Sequence, residues 1–180
     1  MGQVKSPIYL IEKEEDLKKL TIPNNQKIAY VTQTTLSLDD TELIVKAIKK
    51  KFDHVIEPRK NDICYATTNR QEAVKRIAAL CDVFIVIGAK NSSNSIRLVE
   101  VAKLNGAKES LLLENIEKFD SKILVNVKNI GLTASASAPE ILVQSFIEIL
   151  KKKYDIIVNE QDYIPENVNF KIPQQLKTIN

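Results

Sequence analysis

Glycine is scarce in this chain, with four among 180 residues, alongside two cysteines, one histidine and no tryptophan. Gly2, Gly88, Gly106 and Gly131 lie too far apart to write GxGxxG or GxxxxGK[ST], which excludes the glycine-rich phosphate loops of dinucleotide-binding and P-loop folds. Cys64 and Cys81 cannot build a disulfide framework and match no CxxC or Cys/His zinc spacing, so a bound metal would draw most of its ligands from elsewhere. His54, in KFDHVIEPRK, reads as a surface or helix-end residue and supports no Ser/His/Asp arrangement. No apolar run reaches the length of a membrane span, and the first residues lack the apolar segment of a signal peptide, so a soluble intracellular protein is expected. The 26 basic and 23 acidic residues leave a net charge of only +3. The lysine clusters Lys49–Lys51 and Lys151–Lys153 end helical patterns, where the helix dipole favours cations, and are not read as a nucleic-acid surface.

What the chain does contain is 44% hydrophobic residues in alternating strand and helix patterns, enough for one large or two small α/β units. Ile8–Ile11 reads as a short strand, Glu12–Leu20 as a charged helix and Lys27–Gln33 as a buried strand. The run from Ser37 to Phe52 is helical in period, and Ser37 with Asp40 resembles a capping box. Further on, Gln71–Leu80 is expected to be helical, Asp82–Ile87 (DVFIVI) a buried strand and Ser95–Leu104 a helix closed by Gly106. Ser110–Leu113, Leu124–Val127 and Gly131–Ala134 are expected to be extended, and Pro139 is placed at the first turn of a helix Glu140–Lys152. Strands buried on both faces and alternating with helices predict parallel sheets with right-handed crossovers. From Tyr154 the pattern fades into an extended tail.

Candidate chemistry gathers at four places. In NDICYATTNRQE, Cys64 stands beside Asp62, Thr67, Thr68 and Asn69 where a helix begins, and free N–H groups there favour negative charge on sulfur. A metal ligand or nucleophile is one reading, and a small buried residue at a strand end the other. The loops Thr32–Thr35, Ser92–Asn94 and Ser135–Ser137 each follow an expected strand and precede an expected helix. Each alone reads as an N-cap, whereas together they suggest an anion site built from helix N-termini and short donors, with Lys90 and Arg97 as possible added charge.

Four segments then carry a family resemblance: VTQTTLSLDDT (31–41), PRKNDICYATTNRQEAVK (58–75), GAKNSSNSIRL (88–98) and GLTASASAPEILVQ (131–144). In order and spacing they resemble successive blocks of the LytB/IspH family, the 4-hydroxy-3-methylbut-2-enyl diphosphate reductases of the methylerythritol phosphate route to isoprenoids. The likeness extends from Met1 to about Phe170. It implies that Cys64 is a ligand of a 4Fe–4S cluster and that Thr34 lies near the substrate's hydroxymethyl end, where it helps to hold a water. It further implies that Ser92, Ser93, Asn94 and Ser137 grip the diphosphate, while Cys81 matches no ligand block.

The same resemblance implies a fold of parallel-sheet α/β domains, here one partial domain (1–62), one complete domain (63–152) and a C-terminal tail (153–180). Two further cluster cysteines, the diphosphate-binding histidines and a proton-relaying glutamate of the family have no counterpart in this sequence, so the chain resembles a later part of the family pattern and only one of three cysteine ligands is present. Ala134-Ser135 stands where the family often has Ala-Gly, adding a side chain at a tight turn. The function implied is reductive dehydroxylation to isopentenyl and dimethylallyl diphosphate, by a truncated or split chain. Ferredoxin or flavodoxin would donate electrons, and a separate chain would carry the missing part. A bacterial cytoplasmic or plastid-type location is implied. The alternative is a non-catalytic remnant or diphosphate-binding module.

Overall fold

A computed structural model describes residues 4–23, 25–58 and 62–160. In its second half the apolar run VFIVI forms β3 (Val83–Ile87), and all five residues are buried. Complete burial requires neighbours on both edges and cover on both faces. The edges are β4 (Glu109–Leu113) and β5 (Ile130–Ala134), giving a parallel sheet of order β4-β3-β5. The period of two along β3 then divides its side chains between two cores. Phe84 and Val86 pack with Val74, Leu98 and Val101 under α3 (Tyr65–Ile77) and α4 (Ser93–Leu104). Val83, Ile85 and Ile87 pack on the other face with Phe146 and Leu150 of α5 (Glu140–Lys151), where Phe119 meets Phe146 edge-on at 5.0 Å. Each large apolar side chain so buried contributes about 1.5–3 kcal/mol.

The first half is smaller. Helix α1 (Glu14–Lys19) lies on α2 (Leu38–Lys51), and Leu17, Ile48 and Phe52 form their core beside a parallel pair of two-residue strands, β1 (Ile28–Ala29) and β2 (Val55–Ile56). Ser37 caps α2 by accepting from the Asp40 N–H at 3.2 Å, and Lys51 Nζ donates to the Leu17 and Leu20 carbonyls at the end of α1.

Several expectations change. Ile8–Ile11 is not a strand: it pairs with no strand among the described residues, and Ile8, Tyr9 and Leu10 are exposed, because β propensity takes effect only where a neighbouring strand and a buried face exist. The expected strand Lys27–Gln33 shrinks to Ile28–Ala29, with Val31 exposed. Helix α3 starts at Tyr65, six residues before the expected Gln71, and Ala78–Leu80 tightens into a 3-10 turn. Leu124–Val127 is not extended, since Ser121–Leu124 is a 3-10 turn and Asn126 adopts a positive φ of 64°. Pro139 is the N-cap of α5 rather than its first residue. His54 is exposed just after α2, and its carbonyl accepts the Ile28 N–H. Most of the tail, 161–180, lies outside the described residues.

Two consequences follow from this uneven build. Amides of β3 should exchange only on global unfolding, and those of β1 and β2 about a hundredfold faster or more, because two-residue strands lack the buried ladder that resists opening. Equal protection in hydrogen–deuterium exchange of residues 28–56 and 83–87 would contradict this. At the lower end of the sheet, Asp82 accepts from Lys108 Nζ and from the Asn129 and Lys128 N–H groups, each at 2.9 Å for the amides, which ties β3 to the segment entering β5. The lysine bond first, then the amides, hold this carboxyl well below the usual carboxylate range. A depressed folded pKa means that the stabilisation is complete above the unfolded value of about 3.9 and is lost as the pH falls below it. Asp82→Asn should therefore flatten the decline in stability between about pH 4 and about pH 2, measured by urea denaturation across that range.

Candidate anion site and cysteine turn

The register pairs Ile87 with Leu113 and with Ala134, so three chain segments leave the sheet at one level. Beyond that level the chain from β3 turns to α4 on one face, and the chain from β5 turns to α5 on the opposite face. Connections that diverge from adjacent parallel strands leave a crevice between them at the carboxyl end of the sheet.

The lining of this crevice is polar and tightly set. Ser135 N–H donates to the Ile87 carbonyl at 2.9 Å, and the Ser95 and Ser135 side chains are buried. Gly88 lies between them, and a Cβ there would stand 2.3 Å from Ser95 Oγ and 3.1 Å from Ser135 Oγ, so only glycine fits. Ser92 caps α4 by accepting from the Ser95 N–H at 3.3 Å. Asn94 is 6% exposed, yet neither Oδ1 nor Nδ2 has a hydrogen-bond partner, and Ser95 Oγ is unpartnered as well. Each such buried orphan costs about 1–3 kcal/mol, a debt that a bound polar group would cancel. Ser93 and Ser137 are exposed, and no side chain caps α5. Lys90 is held by Glu114 and Arg97 by Glu100 and Asp40, so neither of these cations is free for an anion.

Cys64 is the N-cap of α3. Its Sγ accepts from the Thr67 N–H at 3.4 Å and lies 3.1 Å from Thr67 Oγ1, while its own N–H donates to the Thr34 carbonyl at 3.2 Å. Thr34 thus meets the cysteine turn through its backbone, with its side chain exposed. Gln71, fully buried, holds the segment after Thr34 by accepting from Leu38 N–H (3.1 Å) and donating to the Leu36 carbonyl (2.8 Å). On the other side of α3, Arg70 Nε donates to the Ala134 carbonyl (3.2 Å), just before Ser135. The cysteine turn, the Thr34 loop and the serine loop are therefore tied to one helix. Gln71 and Arg70 were not singled out from sequence; their adjacency to NDICYATTN was the available signal.

The donor set does not suffice for a cluster. No group of three or more Cys, His, Asp or Glu gathers among the described residues. Cys81 sits before β3, at the opposite end of a five-residue strand roughly 17 Å long, with its Sγ donating to the Ile77 carbonyl. Burial, and then Asp82, push that thiol up from its ordinary pKa. Likewise no helix among the described residues is long and apolar enough to cross a membrane.

The family described as "LytB protein" matches residues 1–151. The chain belongs to the LytB family. Its curated relatives include the 4-hydroxy-3-methylbut-2-enyl diphosphate reductases of Methylococcus capsulatus, 47% identical over all of this chain and 58% of that protein. That of Histophilus somni is 49% identical over 98% of this chain and 57% of its own length. The solved E-1-hydroxy-2-methyl-but-2-enyl-4-diphosphate reductase of Plasmodium falciparum superposes with a TM-score of 0.79 at 37% identity, over 94% of this chain and 54% of that one. This LytB chain spans about half the length of the relatives it matches.

Proposed function

We propose that the chain supplies the diphosphate-gripping part of a 4-hydroxy-3-methylbut-2-enyl diphosphate reductase. The observation that carries this reading is the Asn94 carboxamide, buried and unpartnered at the N-terminus of α4 beside the β3/β5 crevice. The names of the relatives support an allylic diphosphate as that anion. In the reaction the substrate takes up two electrons and two protons, its allylic C–O bond breaks, and water leaves with formation of isopentenyl or dimethylallyl diphosphate.

Within this chain, Asn94 and Ser92, Ser93 and Ser137 hold the diphosphate with neutral donors and helix N–H groups, and Thr34 lies toward the hydroxymethyl end. Fixing the charged end of a small substrate sets the distance of its other end from the reacting centre, which is the main contribution that binding residues make to rate. Cys64 would supply one thiolate to an iron–sulfur cluster whose remaining ligands lie outside the described residues. The described residues do not by themselves complete that cluster. The electron donor is a ferredoxin or flavodoxin in the cytoplasm or a plastid-type organelle. The lone thiol at the site favours a second reading, a diphosphate-binding module without catalysis.

Calorimetric titration with isopentenyl diphosphate tests the anion site without the cluster. Asn94→Ala should weaken binding by about 1–3 kcal/mol, the range for a donor to a charged group, and Ser137→Ala should act in the same direction. No binding by the unmodified chain would overturn the proposal. A Ser137→Ala variant altered in stability but not in affinity would reduce that residue to a loop-shaping role.

A further inference from the structure

Arg70 is half-buried in the first turns of α3, and its bonds go to backbone carbonyls rather than to a carboxylate. Nη1 donates to the Ala66 carbonyl at 3.2 Å, two residues after Cys64, and Nε donates to the Ala134 carbonyl at 3.2 Å, one residue before Ser135. A guanidinium is planar with its donors in a fixed fork, so holding two carbonyls at once fixes the separation of the segments that bear them. The adjacent residue, Gln71, clamps α3 to Leu36 and Leu38, which leaves the helix little freedom to slide. The contact to Ala134 spans 64 residues of sequence and joins the cysteine turn to the serine loop of the crevice.

We propose that Arg70 is a positioning residue that couples the diphosphate crevice to the Cys64 turn. It fixes where a substrate anchored at Asn94 and Ser137 lies relative to the sulfur, without touching either end of it. The proposal rests on the diphosphate reading given above.

The test follows the alkylation rate of Cys64 by iodoacetamide, located by peptide mass spectrometry, with and without saturating isopentenyl diphosphate. Cys81, buried and bonded to the Ile77 carbonyl, serves as the internal marker of folding, since it should stay unmodified. In the unmodified chain the ligand should change the Cys64 rate by about tenfold, within the usual range of site-to-site coupling. In Arg70→Met the ligand should change it by less than about twofold, although the ligand still binds, and Arg70→Lys, with one donor group, should recover part of the effect. Full coupling in Arg70→Met, or ligand binding without any coupling in the unmodified chain, would overturn the role of Arg70. Absence of ligand binding to the unmodified chain would instead remove the diphosphate reading and this inference with it. If Arg70→Met exposes Cys81, the lysine variant decides: unchanged coupling in Arg70→Lys, with no Nζ contact to the Ala134 carbonyl in its crystal structure, refutes the proposal.

Discussion

Anaerobic reconstitution of the 180-residue chain with iron and sulfide is expected to yield no stable 4Fe–4S cluster and no turnover with a chemical reductant. The sequence contains two cysteines, and they serve different ends of one strand. Cys64 caps α3 beside the Thr34 loop, whereas Cys81 is packed behind Phe84 and Gly131 with its sulfur bonded to the Ile77 carbonyl. Iron–sulfur clusters are held by several thiolates, typically four, with each cluster iron requiring its own protein or substrate ligand. A single thiolate leaves the other cluster irons without protein ligands, so no cluster is expected to survive gel filtration. Iron analysis and visible absorbance after desalting measure the outcome. About four irons retained per chain, with reduction of the allylic diphosphate, would refute the expectation. Addition of a polypeptide carrying the rest of the family pattern should restore both properties.

Gly131→Ala should be a damaging one-carbon addition to the core under α3 and α4. A Cβ at this position would lie 2.4 Å from Phe84 Cδ2, 2.5 Å from Cε2 and 2.8 Å from Cys81 Sγ. Phe84 is wholly enclosed by the α3 and α4 core, so its ring cannot swing into solvent to make room. The backbone of Gly131 is not in the left-handed region, which makes the cost one of overpacking alone. Overpacking of this kind costs about 3 kcal/mol, and for a chain of this length that lowers the melting temperature by about 6–12 °C. Thermal unfolding followed by circular dichroism decides it, and a shift under about 2 °C would mean that the sheet yields at β5. Gly88→Ala has a different expected signature. Its intruding Cβ meets the Ser95 and Ser135 hydroxyls, so the crevice, and with it diphosphate affinity, should suffer more than stability does.

The strand Val83–Ile87, the helices after it, the cysteine at a helix start and the serine-rich turns were all legible in the sequence. Their signals are local: an apolar run of strand length, a 3.6-residue period, and a side chain able to cap the turn that follows it. The sequence by itself also determined, through four spaced blocks, the family to which the chain belongs. Ile8–Ile11 had the same apolar character as a strand but no strand partner among the described residues, and Lys27–Gln33 kept only two paired residues, because pairing depends on what lies alongside. The order β4-β3-β5, the departure of α4 and α5 to opposite faces and the burial of Asn94 without a partner were decided only by tertiary structure. So were the reaches of Gln71 to Leu36 and of Arg70 to Ala134, across 35 and 64 residues. A hydrogen bond between such distant positions leaves no periodic trace in the sequence, because its geometry exists only after folding has brought the two segments together.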